Sequence, residues 1–229
     1  MSAIATNLQA VQTRISTAAR AAGRPPESIA LLAVSKTWPL SSVIDAATAG
    51  QRAFGENYVQ EGVDKAIATV DRALDWHFIG PLQSNKTRPV AEHFAWVHSI
   101  DRLKIAERLS AQRPADLPPL QVCVQVNVSG EASKSGCHPD EALALCQAVA
   151  ALPRLTLRGL MAIPEPADDE AGQRAPFRQL REIFETIRAA GLPLDTLSMG
   201  MSHDLEAAIA EGATIVRIGT AIFGERNYA

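Results

Sequence analysis

Cysteine is scarce, and what there is offers no scaffold. The three cysteines, Cys123, Cys137 and Cys146, form no CxxC pair and have no histidine at metal-ligand intervals. Neither a disulfide framework nor a zinc site is indicated, and reduced thiols in a cytoplasmic protein are the expectation. A net charge of -3 supplies no broad basic field to neutralise a phosphate backbone, which argues against DNA or RNA as a partner. No apolar run approaches the roughly 18 residues that a membrane span needs. No GxGxxG or GxxxxGKS/T loop follows the first strand pattern, so dinucleotide and P-loop readings fall away. The first 26 residues hold Arg14, Arg20 and Arg24 but no acid, a composition that organellar presequences share. Against cleavage stand Ile4, Leu8, Val11 and Ile15, which fall on one helical face that Gly23, Pro25 and Pro26 terminate. A structural first helix is expected.

What remains is an ordinary globular composition, 47% hydrophobic and 21% charged over 229 residues. That length suits one core and a single domain over 1–229. Short apolar runs alternate with longer amphipathic stretches to the C-terminus, as parallel strands do when crossover helices join them. Strands are predicted near Ile29 to Ser35, Ala53 to Gly55, Trp76 to Ile79, Trp96 to Ser99, Leu120 to Val128, Thr156 to Leu160, Thr196 to Ser198 and Ile215 to Ile218. Helical patterns between them include Leu40 to Ala49, Leu103 to Ser110, Glu141 to Ala150, Phe177 to Ala190 and Leu205 to Glu211. Eight such units predict an α/β fold, a closed (β/α)8 TIM barrel with an extra N-terminal helix.

In such barrels chemistry sits at the C-terminal ends of the strands, and the loops after strands seven and eight commonly grip phosphate. Lys36 ends the first predicted strand, where partial burial favours the neutral amine that condenses with aldehydes. Alone it reads more readily as a solvated loop lysine, since surface lysines far outnumber reactive ones. After the seventh strand comes Ser198-Met199-Gly200-Met201-Ser202, with Ser202 placed to cap the next helix. After the eighth comes Arg217-Ile218-Gly219-Thr220, a small residue beside a hydroxyl donor. The two loops in barrel register, with a lysine on strand one, describe a phosphate cradle facing an amine.

Five segments carry a family likeness: Ala33-Val34-Ser35-Lys36, Phe54 to Glu61, His77 to Lys86, Ser198 to Asp204, and Arg217-Ile218-Gly219. Together they resemble the pyridoxal phosphate homeostasis proteins, also called proline synthase co-transcribed homologues, over roughly residues 29 to 226. The resemblance implies the alanine-racemase type of barrel and pyridoxal 5′-phosphate as cofactor, held as an internal aldimine on Lys36. It implies that Ser202, Gly219 and Thr220 hold the phosphate, that Arg217 meets the pyridine nitrogen, and that Asn57, Ser198 and Met199 line the ring. An arginine there keeps its proton and leaves the ring a weaker electron sink than an acid partner would. It associates a lysine at the position of Lys134 with cofactor exchange; a solvated loop lysine is the competing reading. It further implies a monomer that manages the cofactor, with apo-enzymes as recipients, and runs no reaction.

An amino-acid racemase is the alternative. Racemases of this fold use a tyrosine from across a dimer as second acid and base and add a C-terminal β-domain. Here Tyr228 is penultimate, Tyr58 starts a helix, and about a dozen residues follow the eighth strand, so racemisation is not expected. His77 and His98, both on predicted strands, read as packed or rim residues more than as bases.

Overall fold

Every apolar run expected to be a strand pairs with the next one along the chain. The computed structural model describes residues 2–129 and 135–225. Its elements run α1 (Ala3–Ala21), β1 (Ala30–Val34), α2 (Leu40–Thr48), β2 (Ala53–Glu56), α3 (Val59–Ala68), β3 (Asp75–Phe78), α4 (Thr87–His93), β4 (Trp96–Ile100) and α5 (Leu103–Gln112). They continue through β5 (Leu120–Gln125), α6 (Ala142–Ala150), β6 (Leu155–Met161), α7 (Glu170–Ala189), β7 (Thr196–Ser198), α8 (Leu205–Ala210), β8 (Ile215–Ile218) and α9 (Thr220–Phe223). The eight parallel strands close into a barrel in chain order. Closure is visible at Ala33, which is in register with Phe54 on β2 and with Ile218 on β8. This is the (β/α)8 barrel the alternation predicts, and its strand ends place Lys36, Asn57, Ser198 and Arg217 around one rim.

Between barrel wall and helices lies an apolar layer that includes Phe54, Phe78, Phe94, Ile105, Leu109 and Phe177, each 1% exposed or less. The extra helix α1 is started by Ser2, whose hydroxyl accepts from the amide of Ala5, and it buries Leu8, Val11, Ile15 and Ala19 as its apolar stripe predicts. It packs on α2, α8 and α9, so it stands behind the loops that follow β7 and β8.

Two boundaries differ from the sequence reading by more than two residues. Helix α7 starts at Glu170, seven residues before Phe177, capped by Asp169 Oδ1 on the amide of Gly172 at 2.8 Å. Its first turns carry no buried apolar residue, so periodicity is silent there, and Pro176 is accommodated inside the helix. Strand β5 ends at Gln125 rather than Val128 because Val126 and Asn127 turn to pair with Cys137. Lys134 and Tyr228 lie outside the described residues.

Candidate functional site

At the C-terminal ends of the strands lies a pocket of about 220 Å³. Its lining includes Lys36 after β1, Asn57 after β2, Ser202 after β7, and Arg217, Gly219 and Thr220 on and after β8. Six of the eight residues singled out for the cofactor therefore meet in one concavity, closed by Val34, Trp38, Ile79, Ile163 and Met201. Larger grooves of about 670 and 630 Å³ run along α1. In barrels of this type, chemistry belongs to the strand C-terminal ends, so position outweighs size.

Ser198 and Met199 do not line this pocket. Met199 is wholly buried in the apolar layer, and Met201 takes the place at the wall. Ser198 is buried one step behind the pocket, with its Oγ 2.8 Å from Nη1 of Arg217 and 2.8 Å from Nδ1 of His98. His98 in turn places Nε2 2.9 Å from Nδ1 of His77, whose ring stacks on Trp96 at 5.3 Å. These residues sit on β8, β7, β4 and β3; β7 neighbours β8 and β3 neighbours β4, so the Ser198–His98 contact is the link that crosses the barrel interior. Arginine has only donors. Its N–H to Ser198 uses one lone pair of the serine oxygen, so His98 Nδ1 either accepts from the serine hydroxyl or donates to the second lone pair, and His98 Nε2 correspondingly donates to or accepts from His77 Nδ1. Both ring nitrogens of His98 thus have partners, and the same distances accommodate either tautomer.

Burial brings His77 down to about 3 and holds His98 well below its ordinary value, where the nearby His77 and Arg217 charges push the same way. Both rings are therefore neutral. Arg217, brought down to about 10 by burial, remains charged at neutral pH. Its Nη1 donates to Ser198 O and Oγ, and its Nη2 to Ala162 O at 2.8 Å. Three of the five guanidinium donors are thus committed and two remain for a ligand at the pocket.

The phosphate-side loops are set by different contacts from those expected. Ser202 does not cap α8, whose N-cap is Asp204. Its Oγ instead accepts from the amide of Ala221, at the start of α9, and Asp204 Oδ1 holds the amide of Met201 at 2.6 Å. Residue 202 lies two positions before that cap, and α9 is the helix start it reaches. Gly200 makes this turn possible: φ is +96°, and a Cβ there would come within 2.5 Å of Ala208 Cβ. From outside, Arg14 on α1 donates through Nη1 and Nη2 to Ser202 O at 3.1 Å while pairing with Glu206. Asn7 donates to Ile222 O at 3.0 Å. On the opposite wall, a Cβ on Gly80 would collide with the carbonyl oxygen of Asn57, so this close approach fixes where Asn57 stands.

Sequence reasoning left out a second polar cluster. Glu56 ends β2 and Lys65 lies on α3; both are buried and their side chains meet at 2.7 Å. Lys65 also pairs with Glu61 at 2.7 Å and donates to Ser35 O at 2.8 Å. Burial raises the pKa of Glu56, against the opposing bonds from Lys65 and Ser35. A lysine one turn after a glutamate on an amphipathic helix reads as a solvated i,i+4 pair, and only the fold reveals that it is enclosed.

The pocket fits pyridoxal phosphate chemically. It presents a half-buried lysine, an arginine with donors to spare, two hydroxyls beside a helix start, and at Asn57 a buried Oδ1 with no hydrogen-bond partner among the described residues. Fold and pocket define the class: an alanine-racemase-type barrel with a lysine just after its first strand. The family model described as alanine racemase, N-terminal domain, matches residues 6–227. The chain belongs to the pyridoxal phosphate homeostasis protein family. It is 64% identical to the Pseudomonas aeruginosa member over 228 residues, covering 100% of this chain and 98% of that one. With the Escherichia coli K12 member it shares 58% over 232 residues, covering 100% and 99%. Among solved structures, PipY of Synechococcus elongatus with PLP bound superimposes with a TM-score of 0.85 at 38% identity, covering 96% of this chain and 100% of that one. Alanine racemase from Corynebacterium glutamicum shares the fold at 20% identity, with a TM-score of 0.72 over 98% of this chain and 61% of the racemase.

Proposed function

We propose that this protein binds pyridoxal 5′-phosphate covalently through Lys36 and manages the supply of that cofactor in the cytoplasm without running a reaction on it. The observation that carries the reading is the meeting of Lys36, Arg217, Ser202, Gly219 and Thr220 in one pocket. Relatives 54–64% identical over nearly their whole length carry the homeostasis name, whereas the racemase likeness is one of fold alone.

When bound, the cofactor supplies an aldehyde that condenses with a primary amine and releases water. Lys36 provides that amine from the rim. Ser202 and Thr220 hydroxyls and the backbone at Gly219 hold the phosphate, with the N–H groups at the start of α9 behind them. Arg217 would offer an uncommitted donor to the ring nitrogen, and Asn57 would line the ring. Ser198 acts behind Arg217, and Met199 supports the turn from the core. Lys134 gives the departing aldehyde a transient second amine. The protein works as a monomer, and its recipients are apo-enzymes that need this cofactor.

The test is transfer. Loaded protein is mixed with an apo-enzyme while a scavenger removes free pyridoxal phosphate. Recovery of the enzyme's activity, slowed in Lys134→Ala, supports the reading. No recovery, or turnover of L-alanine to D-alanine by the pure loaded protein, contradicts it.

A further inference from the structure

The residue expected to carry the cofactor is gripped on both sides by the buried ion cluster. Lys65 Nζ has three N–H donors and three acceptors around it: Ser35 O at 2.8 Å, Glu56 Oε1 at 2.7 Å and Glu61 Oε1 at 2.7 Å. The first acceptor is the carbonyl immediately before Lys36. On the other side, Glu61 Oε1 accepts from the amide of Thr37 at 2.6 Å, the residue immediately after Lys36. Ser35 Oγ closes the ring by donating to Glu56 Oε1 at 2.6 Å.

Thr37 has φ of +67°, a conformation costly for a β-branched residue, and two contacts hold it there: the turn closed over Lys36 and Thr37 by the Trp38 N–H to Ser35 O bond at 3.0 Å, and the Glu61 carboxylate on the Thr37 amide. The side chains of Glu56 and Lys65 are 0% and 7% exposed. Burying such a cluster gains little stability over apolar residues of the same size, so stability alone gives no reason for it. Its contacts with residues 35 and 37 do.

We propose that Glu61, Lys65 and Glu56 are positioning residues that fix the backbone on either side of Lys36 and so set the direction from which its amine enters the pocket. Glu61 acts most directly, by keeping Thr37 in its left-handed conformation. The inference rests on Lys36 being the attaching amine. Its physical content is a coupling between the Glu61 carboxylate and the reactivity of Lys36, transmitted through one peptide unit.

The full-length protein, freed of cofactor, serves for the test, with two readouts. One is hydrogen exchange at the Thr37 amide. The other is the rate at which Lys36 alone is reductively methylated by formaldehyde and cyanoborohydride, mapped by peptide, which needs no bound cofactor. Glu61→Ala is expected to speed Thr37 exchange and to change the Lys36 labelling rate by about tenfold, the scale on which small displacements of a reacting group act. Glu61→Gln keeps an acceptor for the Thr37 amide and is expected to stay within about twofold of the parent. Thr37→Gly added to Glu61→Ala is expected to restore most of the labelling rate, because glycine enters a positive φ without the steric cost that threonine meets there.

Faster Thr37 exchange in Glu61→Ala with an unchanged Lys36 rate overturns the proposal, and so does failure of Thr37→Gly to rescue. If Glu61→Ala does not fold, the pair Glu61→Gln and Thr37→Gly in the parent carries the test: both must keep the Lys36 rate, and a large change in either contradicts the clamp. Attachment of pyridoxal phosphate to a different lysine in the parent protein sinks the functional reading, whereas the formaldehyde readout still decides the clamp.

Discussion

Ser198 Oγ lies 2.8 Å from both Arg217 Nη1 and His98 Nδ1, joining the one buried cation of the pocket to a pair of neutral histidines in the barrel interior. The serine is the only hydroxyl in that chain, so its removal is informative. Ser198→Ala leaves His98 Nδ1 without its hydrogen-bond partner and frees one Arg217 N–H, at a cost of about 1–3 kcal/mol of stability. Pyridoxal phosphate affinity is expected to fall about tenfold as the guanidinium loses a constraint. Urea unfolding and spectral titration measure the two effects; equal affinity in the variant contradicts the link between Ser198 and the pocket.

Burial of the histidines predicts a stability profile. Unfolded, each titrates near 6.5, whereas His77 is held at about 3 and His98 well below its ordinary value in the fold. Below pH about 6.5 the unfolded chain takes up protons that the folded chain refuses. Stability contributed by the neutral rings is complete above that pH and is lost on acidification, by about 1.4 kcal/mol per pH unit for each histidine. Glu56, whose pKa burial raises, works in the opposite sense, so the histidine part is read as a difference. Urea midpoints between pH 7.5 and 4.5 are expected to fall less steeply in His77→Gln than in the parent; parallel profiles mean the ring is not buried neutral.

Helix α1 holds the loop after β7 and helix α9 from behind through Arg14 on Ser202 O and Asn7 on Ile222 O. The Arg14–Glu206 pair is well exposed, so Arg14→Gln is expected to change stability by less than about 1 kcal/mol. Release of pyridoxal phosphate is expected to quicken about three- to tenfold as the loop after β7 loosens, and Arg14→Lys does not restore it because an ammonium cannot span the same fork. A chase with excess apo-enzyme measures release. An unchanged rate shows that the tie is incidental.

Gly200 offers a sharper test of the same loop. Alanine there must adopt a positive φ and press against Ala208, so Gly200→Ala is expected to cost about 1–3 kcal/mol and to weaken cofactor binding by displacing Ser202. Retention of both stability and affinity contradicts the geometry described for the turn.

The strands were legible because short apolar runs such as Ala30–Val34 and Ile215–Ile218 have both faces covered and carry their own signal. The stripe of α1 was legible for the converse reason, one apolar face on a polar helix. The first two turns of α7 were not, since nothing in them is buried and their cap at Asp169 lies outside the apolar pattern. In the site, Lys36, Asn57, Ser202, Arg217, Gly219 and Thr220 share a pocket because barrel register alone brings strand ends together. The partners of those residues could not be read in the same way. Ser202 meets Ala221 and Arg14, which are 19 and 188 residues away, and Lys65 looks solvated until α3 is laid against β2. Ser198 and Met199 fall behind the pocket because consecutive residues at the end of β7 alternate between barrel interior and outer layer, a parity that a family resemblance does not specify.

The attachment point decides most. The protein is loaded with pyridoxal phosphate, reduced with borohydride and digested, and the modified peptide is sequenced. The account predicts one label, on Lys36, with the bound chromophore lost in Lys36→Ala and the fold retained. A label on any other lysine, or an unaltered chromophore in Lys36→Ala, contradicts it.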